Sequence, residues 1–183
     1  MNKSEFDAGS FIEVNLADGT ISSRENDRLA LISTEVLGML PASESVFHAA
    51  ATWGKVHGGR LAQQIGSGGE EMGVQSLAAH LCGTLASLGL GRIRLEIRGD
   101  ALLFRASPEG SPGVRTLLQG FLSGYLTHLI DRPFTVLDMG EVEGERLFWA
   151  ANPEAARAAQ VEIEKGADPV SVLETAMQGR PSC

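Results

Sequence analysis

The sequence predicts an α+β fold in which antiparallel β-hairpins pack on long amphipathic helices. Three observations predict it. Val114, Leu117, Leu118, Phe121, Leu122, Tyr125, Leu126, Leu129 and Ile130 recur at spacings of three and four, the apolar stripe of a helix. Arg92–Arg98 alternates strictly, with Ile93, Leu95 and Ile97 on one face and Arg92, Arg94, Glu96 and Arg98 on the other, as in a strand with one wet face. Helical and hairpin segments then take turns along the chain, an order that suits an antiparallel sheet with helices on one side.

In chain order, Phe11–Arg24 carries alternating Ile12, Val14 and Leu16, then Asp18-Gly19, then Ile21, which predicts a hairpin in an N-terminal extension over residues 1–28. Ser33 or Thr34 caps a short helix through Val36, Leu37 and Leu40, ended by Pro41. The next helix is placed at Glu44–Ile65, with Val46, Phe47, Ala50, Trp53, Val56 (or His57), Leu61 and Ile65 on its apolar face. Ala50, Gly54 and Gly58 fall four apart within it. Each helical glycine costs about 0.5–1 kcal/mol relative to alanine, so their stripe signals close approach of another backbone. Two partners fit: a helix crossing within the chain, or a helix of a second copy.

Gly66–Gly69 reads as a linker, and Glu70-Glu71 suit the positive end of the following helix, Glu70–Leu88. Arg92–Arg98 turns at Gly99-Asp100 into a partner strand, Ala101–Ala106. Ser111 and Pro112 start the long helix, and Asp131-Arg132-Pro133 stops it, because the residue before proline is pushed out of the helical region. A closing hairpin follows, Phe134–Met139 and Arg146–Ala151, joined by an acidic loop, Gly140–Glu145. Residues 152–183 carry two alanine-rich helices with few large apolar groups, expected to be peripheral or to bind a partner.

Bulk composition removes several function classes. At 183 residues the chain is long enough to bury roughly two-thirds of its unfolded surface in one domain. Fifteen basic against 23 acidic residues give a net charge of −8, which argues against phosphate-backbone binding. The 5% aromatic content is too poor for a base-stacking platform. No run approaches the roughly 18 apolar residues of a membrane span, and the first residues lack the apolar core of a signal peptide. Two cysteines, one of them the last residue, offer neither a disulfide framework nor metal spacing. A cytoplasmic protein is the expectation.

No catalytic constellation emerges. His48, His57, His80 and His128 show no spacing that aims two ligands together. Cys82 has no base near it in sequence, and Ser123 lacks the strand-to-turn setting of a nucleophile elbow. The GSGG run is followed by glutamates, not by the Lys-Ser/Thr of a phosphate cradle. The expectation is a protein that is not an enzyme and has no cofactor or metal. Trp53, Cys82, Phe121, Tyr125 and Trp149 are the candidate lining of an apolar ligand pocket. Ala50, Gly54, Gly58, Gly120 and Gly124 are the candidate interface for a homodimer or higher oligomer.

WGKVHGGRLAQQI (53–65), a second helix, LGRIRLEIRGDALLFRAS (90–107) and LLQGFLSGYLTHLIDRPFTVLDMGEVEGERLFWA (117–150) together resemble the 4-vinyl-reductase-type domain, a fold shared with small subunits of the TRAPP trafficking complex. The resemblance covers about Leu29–Ala151. It implies an α+β domain that often dimerises through helices and encloses an apolar ligand channel, as in phenol-sensing domains, scaffolding proteins and an accessory factor of tetrapyrrole (4-vinyl) reduction. Many bacterial members carry a cysteine zinc site on the closing hairpin. Here Leu137–Phe148 has no cysteine, so thiolate zinc is not implied. LGRIRLEIRGDALLFRA and TLLQGFLSGYLTHLI also resemble the small acidic structural component of bacterial cellulose synthase. The expected function is therefore ligand binding or scaffolding. The expected partners are a second copy, another protein of a complex or an apolar small molecule, with no nucleic acid and no membrane span.

Overall fold

The computed structural model describes residues 12–15, 20–23, 28–29, 34–68, 74–87, 90, 92–99, 101–107 and 110–178, and they form an α+β structure. At the N-terminus β1 (Ile12–Asn15) and β2 (Thr20–Ser23) pair antiparallel, with Val14 opposite Ile21. The Asp18-Gly19 turn lies outside the described residues. A short β3 (Arg28–Leu29) adds to β2, so this small sheet crosses the boundary expected after residue 28.

Helix α1 (Thr34–Gly38) is followed by α2 (Glu44–Gly68), which continues past Ile65, so Gly66–Gly68 are helical where a linker was expected. Helix α3 spans Val74–Ser87, and the glutamates expected at its start lie outside the described residues. Helix α4 (Pro112–Ile130) begins as predicted: the Ser111 hydroxyl accepts from the Val114 amide at 3.4 Å, with Pro112 in the first turn. It ends on Asp131, whose φ of 54° places it in the left-handed region.

The main sheet has the order β4-β5-β7-β6, antiparallel throughout: β4 (Arg92–Arg98), β5 (Ala101–Ser107), β6 (Thr135–Val142) and β7 (Glu145–Ala151). The acidic segment Gly140–Glu145 is not a loop. Val142 pairs with Glu145 across a two-residue turn in which Glu143 and Gly144 have φ of 56° and 78°, the double positive φ that matches strand twist in a tight hairpin. A register irregularity between Asp138 and Glu141 absorbs one extra residue, and Gly140 takes the positive φ of 86° there.

Helices cover both faces of this sheet, not one. On the first face Ile93, Phe104, Ala106, Phe148, Ala150 and Val136 pack with α2, α3 and α4. On the second, Leu103, Trp149, Leu147, Leu137 and Met139 pack under α5 (Pro153–Glu164) and α6 (Pro169–Gln178). The C-terminal helices are therefore structural layers. Their poverty in large apolar groups is what lets them sit close, with Ala156 and Ala159 buried against the bulky strand residues and Leu173 completing the contact. Ile97, expected among the buried alternating set, is 53% exposed at the far end of β4, although its register with Leu102 keeps it on the first face.

Both free edges of the sheet meet helix side chains. On α4, Gln119, Ser123 and Thr127 recur at four-residue spacing along β6. Gln119 donates to the Val136 carbonyl (3.4 Å), Ser123 accepts from the Val136 amide (2.9 Å), and Thr127 accepts from the Phe134 amide (3.0 Å). At the opposite edge the Leu95 backbone hydrogen-bonds Cys82 of α3. Ser123 thus has a structural task, and it also donates to the Gln119 carbonyl at 2.6 Å.

Candidate functional site

The glycines explain how the site is built. A Cβ on Gly54 would stand 2.0 Å from the Phe121 carbonyl oxygen, and one on Gly58 would stand 2.3 Å from that of Tyr125. From the other side, a Cβ on Gly120 would lie 2.3 Å from the Phe47 oxygen and 3.0 Å from the Ala50 Cβ, and one on Gly124 would lie 2.0 Å from the Ala51 oxygen. Ala50, Gly54, Gly58, Gly120 and Gly124 thus join α2 to α4 within the chain. The expected use of these five residues as an interface between copies is corrected: their open sides are filled by the crossing helix.

That close approach sets aromatic side chains against each other. Trp53 and His57 lie one turn apart on α2, and Phe121 and Tyr125 one turn apart on α4. The Trp53 and Phe121 rings meet edge-on at 4.8 Å, His57 lies 5.8 Å from Trp53 and 6.1 Å from Phe121, and Tyr125 stacks on Phe121 at 5.8 Å. Of the alternatives Val56 and His57, the helix therefore turns His57 inward; Val56 is 46% exposed. Leu81 and Leu85 of α3, with Cys82 beside them and Leu95 of β4, close the cluster.

Tyr125 is the chemically informative member. Its side chain is 1% exposed, and its hydroxyl has no hydrogen-bond partner among the described residues. Burial, with a smaller contribution from Cys82, pushes the phenol well above its ordinary range, so it stays a neutral O–H donor. A buried polar group left unmade costs about 1–3 kcal/mol. Burial also raises the Cys82 thiol, opposed by the Leu95 backbone bond, which makes it a poor nucleophile.

Of the five residues expected to line a pocket, Trp53, Cys82, Phe121 and Tyr125 come together, and Trp149 does not. Trp149 pairs with Leu103 and Leu137 on the opposite face of the sheet, under α5 and α6. Strand alternation decides this: Phe148, its neighbour, points to the first face.

Arg105 escaped the sequence reading. Only 8% exposed, it donates to Glu96 at 3.0 Å and to the Val142 carbonyl at 3.4 Å, and it faces Glu143 at 3.4 Å and Glu145 at 3.9 Å. Arg94 pairs with Glu145, and Arg98 with Glu96 at 2.6 Å. Of the β4 arginines, Arg94 is therefore partnered with a glutamate of the closing hairpin and Arg98 with Glu96 of its own strand. The available signal was a lone charge in the apolar strand ALLFRAS. Arg98 and then Arg105 hold the Glu96 carboxyl below its ordinary 4.5, so its contribution to stability is full above that pH and is lost as pH falls through the depressed folded value. Glu96→Gln is expected to lower stability at pH 7 and flatten the acid limb below about pH 4.5. A denaturant midpoint measured against pH checks this, and an unchanged acid limb contradicts it.

The closing hairpin does not fit thiolate zinc. It has no cysteine, and Asp138 is bound by Arg146 through two bonds of 2.6 and 2.8 Å. Among the described residues no group of three or more histidine, cysteine, aspartate or glutamate side chains could hold a metal ion, and no helix is long and apolar enough to cross a membrane.

The fold defines a domain with helices on both faces of a four-stranded antiparallel sheet. No protein-family profile and no curated protein matches the chain. Among solved structures it is similar to the phenol-responsive sensory domain of the transcription activator PoxR, crystallised with phenol. The TM-score is 0.65 at 14% identity, covering 86% of this chain and 92% of that one.

Proposed function

We propose that this chain is a small-molecule-binding domain of the 4-vinyl-reductase-like kind. Its ligand is a small, largely apolar ring compound with one polar atom, held between the α2–α4 crossing and the α3–β4 side of the core. The observation that carries the reading is the Tyr125 hydroxyl, an O–H donor buried in the cluster that holds Trp53, Phe121 and Cys82, without an intrachain partner among the described residues. Ligand sites are typically apolar with a few placed polar groups, and that is the composition here. The likeness to a domain that binds phenol supports the fold of such a receptor; the chemistry rests on Tyr125. A homodimer through the glycine stripes is not part of the reading, since those stripes are occupied.

The test is a phenol titration read by calorimetry and thermal unfolding, with benzene and cyclohexanol as comparators. Phenol is expected to raise the melting temperature. Tyr125→Phe is expected to weaken phenol binding about tenfold while stabilising the ligand-free protein by about 1 kcal/mol, because it removes an unsatisfied hydroxyl. Absence of any shift with the whole series, together with a Tyr125→Phe variant less stable than the parent, sinks the proposal.

A further inference from the structure

We infer that a second and separate site lies on the outer side of the same helix crossing, where an open groove of ≈ 340 Å³ takes a small organic anion, its charge held by Lys55 and its apolar body lying between Phe47 and Phe134. Helical spacing assembles the groove. His48, Thr52 and Lys55 fall four and three apart on α2, and Gly124, Thr127 and His128 three and one apart on α4, so each set shares one helix face. The crossing brings the two faces together around the groove. Its floor is backbone: at Gly124 there is no room for a side chain over Ala51, whose carbonyl oxygen would meet a Cβ at 2.0 Å. Phe134 is fixed as a wall by its two main-chain bonds to the Thr127 hydroxyl, at 3.0 and 3.3 Å.

The polar groups of the groove sort by what they already do. Thr52 donates to the His48 carbonyl at 3.0 Å, and Thr127 donates to that of Phe134, so neither hydroxyl proton is available. His48 meets Glu44 at 3.3 Å, which occupies that carboxylate. His128 donates from Nδ1 to the Gly124 carbonyl at 3.3 Å, leaving Nε2 without an intrachain bond among the described residues. Lys55 is in no ion pair among the described residues. An unpaired ammonium and a free imidazole nitrogen therefore share the groove with the apolar side chains of Phe47 and Phe134, on a chain whose net charge is −8.

That overall charge repels anions at range but is screened beyond about 8 Å at physiological salt. A simple inorganic anion gains only the Lys55 contact, whereas an aromatic or branched aliphatic carboxylate adds contact with Phe47 and Phe134. The ligand class is therefore a monocarboxylate with an apolar body.

The experiment titrates the full chain with benzoate, benzyl alcohol, acetate and phosphate, following amide and His128 imidazole signals by NMR. Benzoate is expected to shift Gly124, Thr127 and His128 saturably. The other three should bind at least about tenfold more weakly. Lys55→Ala should weaken benzoate about tenfold, with Lys55→Arg retaining it. Equal binding of benzyl alcohol, phosphate or acetate, an unchanged affinity in Lys55→Ala, or benzoate shifts confined to Phe121 and Tyr125 each overturns the inference. Lys55 is exposed, so its replacement leaves the core intact, and the Tyr125→Phe variant reads the interior site independently.

Discussion

Gly54→Ala is expected to destabilise the protein by about 3 kcal/mol and lower its melting temperature by roughly 6–12 °C. The added methyl would have to share space with the Phe121 carbonyl, at 2.0 Å from the oxygen and 2.8 Å from the carbon. Both are backbone atoms of a helix anchored along its length, so the clash is relieved only by moving α2 off α4. Intrinsic helix propensity pulls the other way by about 1 kcal/mol in favour of alanine, and the steric cost wins. Gly59→Ala, just over one turn further and facing nothing within 4 Å, isolates the propensity and should stabilise by about 0.5–1 kcal/mol. A pair of calorimetric scans decides the matter. Equal melting temperatures for the two variants refute the seam as described.

Removing residues 153–178 is expected to abolish the native state, and Trp149→Ala to cost about 3–5 kcal/mol. The deletion strips α5 and α6 from the second face and uncovers Trp149, Leu103, Leu147, Leu137 and Met139 together. Each of these large side chains gains about 1.5–3 kcal/mol from full burial, comparable in sum with the whole stability of an ordinary domain. The shortened chain should aggregate or bind a hydrophobic dye, with its near-ultraviolet circular dichroism lost. A soluble truncated protein with a native tryptophan spectrum would show that these helices are dispensable.

Much of the fold was legible because its signals are local. Strict alternation over Arg92–Arg98 placed β4 at its observed bounds, and the Ser111-Pro112 start placed α4. The errors arose where the deciding contact is distant in sequence. The stretch ANPEAARAAQVEIE reads as a helix with nothing to bury until a sheet of bulky residues lies beneath it. Gly140–Glu145 reads as a loop because no local rule announces that Glu143 will adopt a positive φ. The glycine stripe was correctly read as a close backbone approach, but periodicity cannot tell whether the approaching helix belongs to the same chain. For the site, Trp53, Phe121 and Tyr125 meet because residues one turn apart on a helix share a face and the two faces cross, while Cys82 joins them from α3. Trp149 was lost to the parity of its strand position, which pattern alone could have settled by setting it against Phe148. Arg105 was missed because its partners, Glu96, Glu143 and Glu145, come together only through the hairpin register.

The polar ladder of Gln119, Ser123 and Thr127 has a consequence for growth of the sheet beyond one molecule. A strand arriving beside Phe134–Val136 would find those amides and carbonyls already bonded to α4, while an approach at Leu95 meets α3 through Cys82. Recruitment of a foreign peptide as an additional ribbon is therefore disfavoured at the Phe134–Val136 margin. Strand addition at that margin requires that α4 first move off β6.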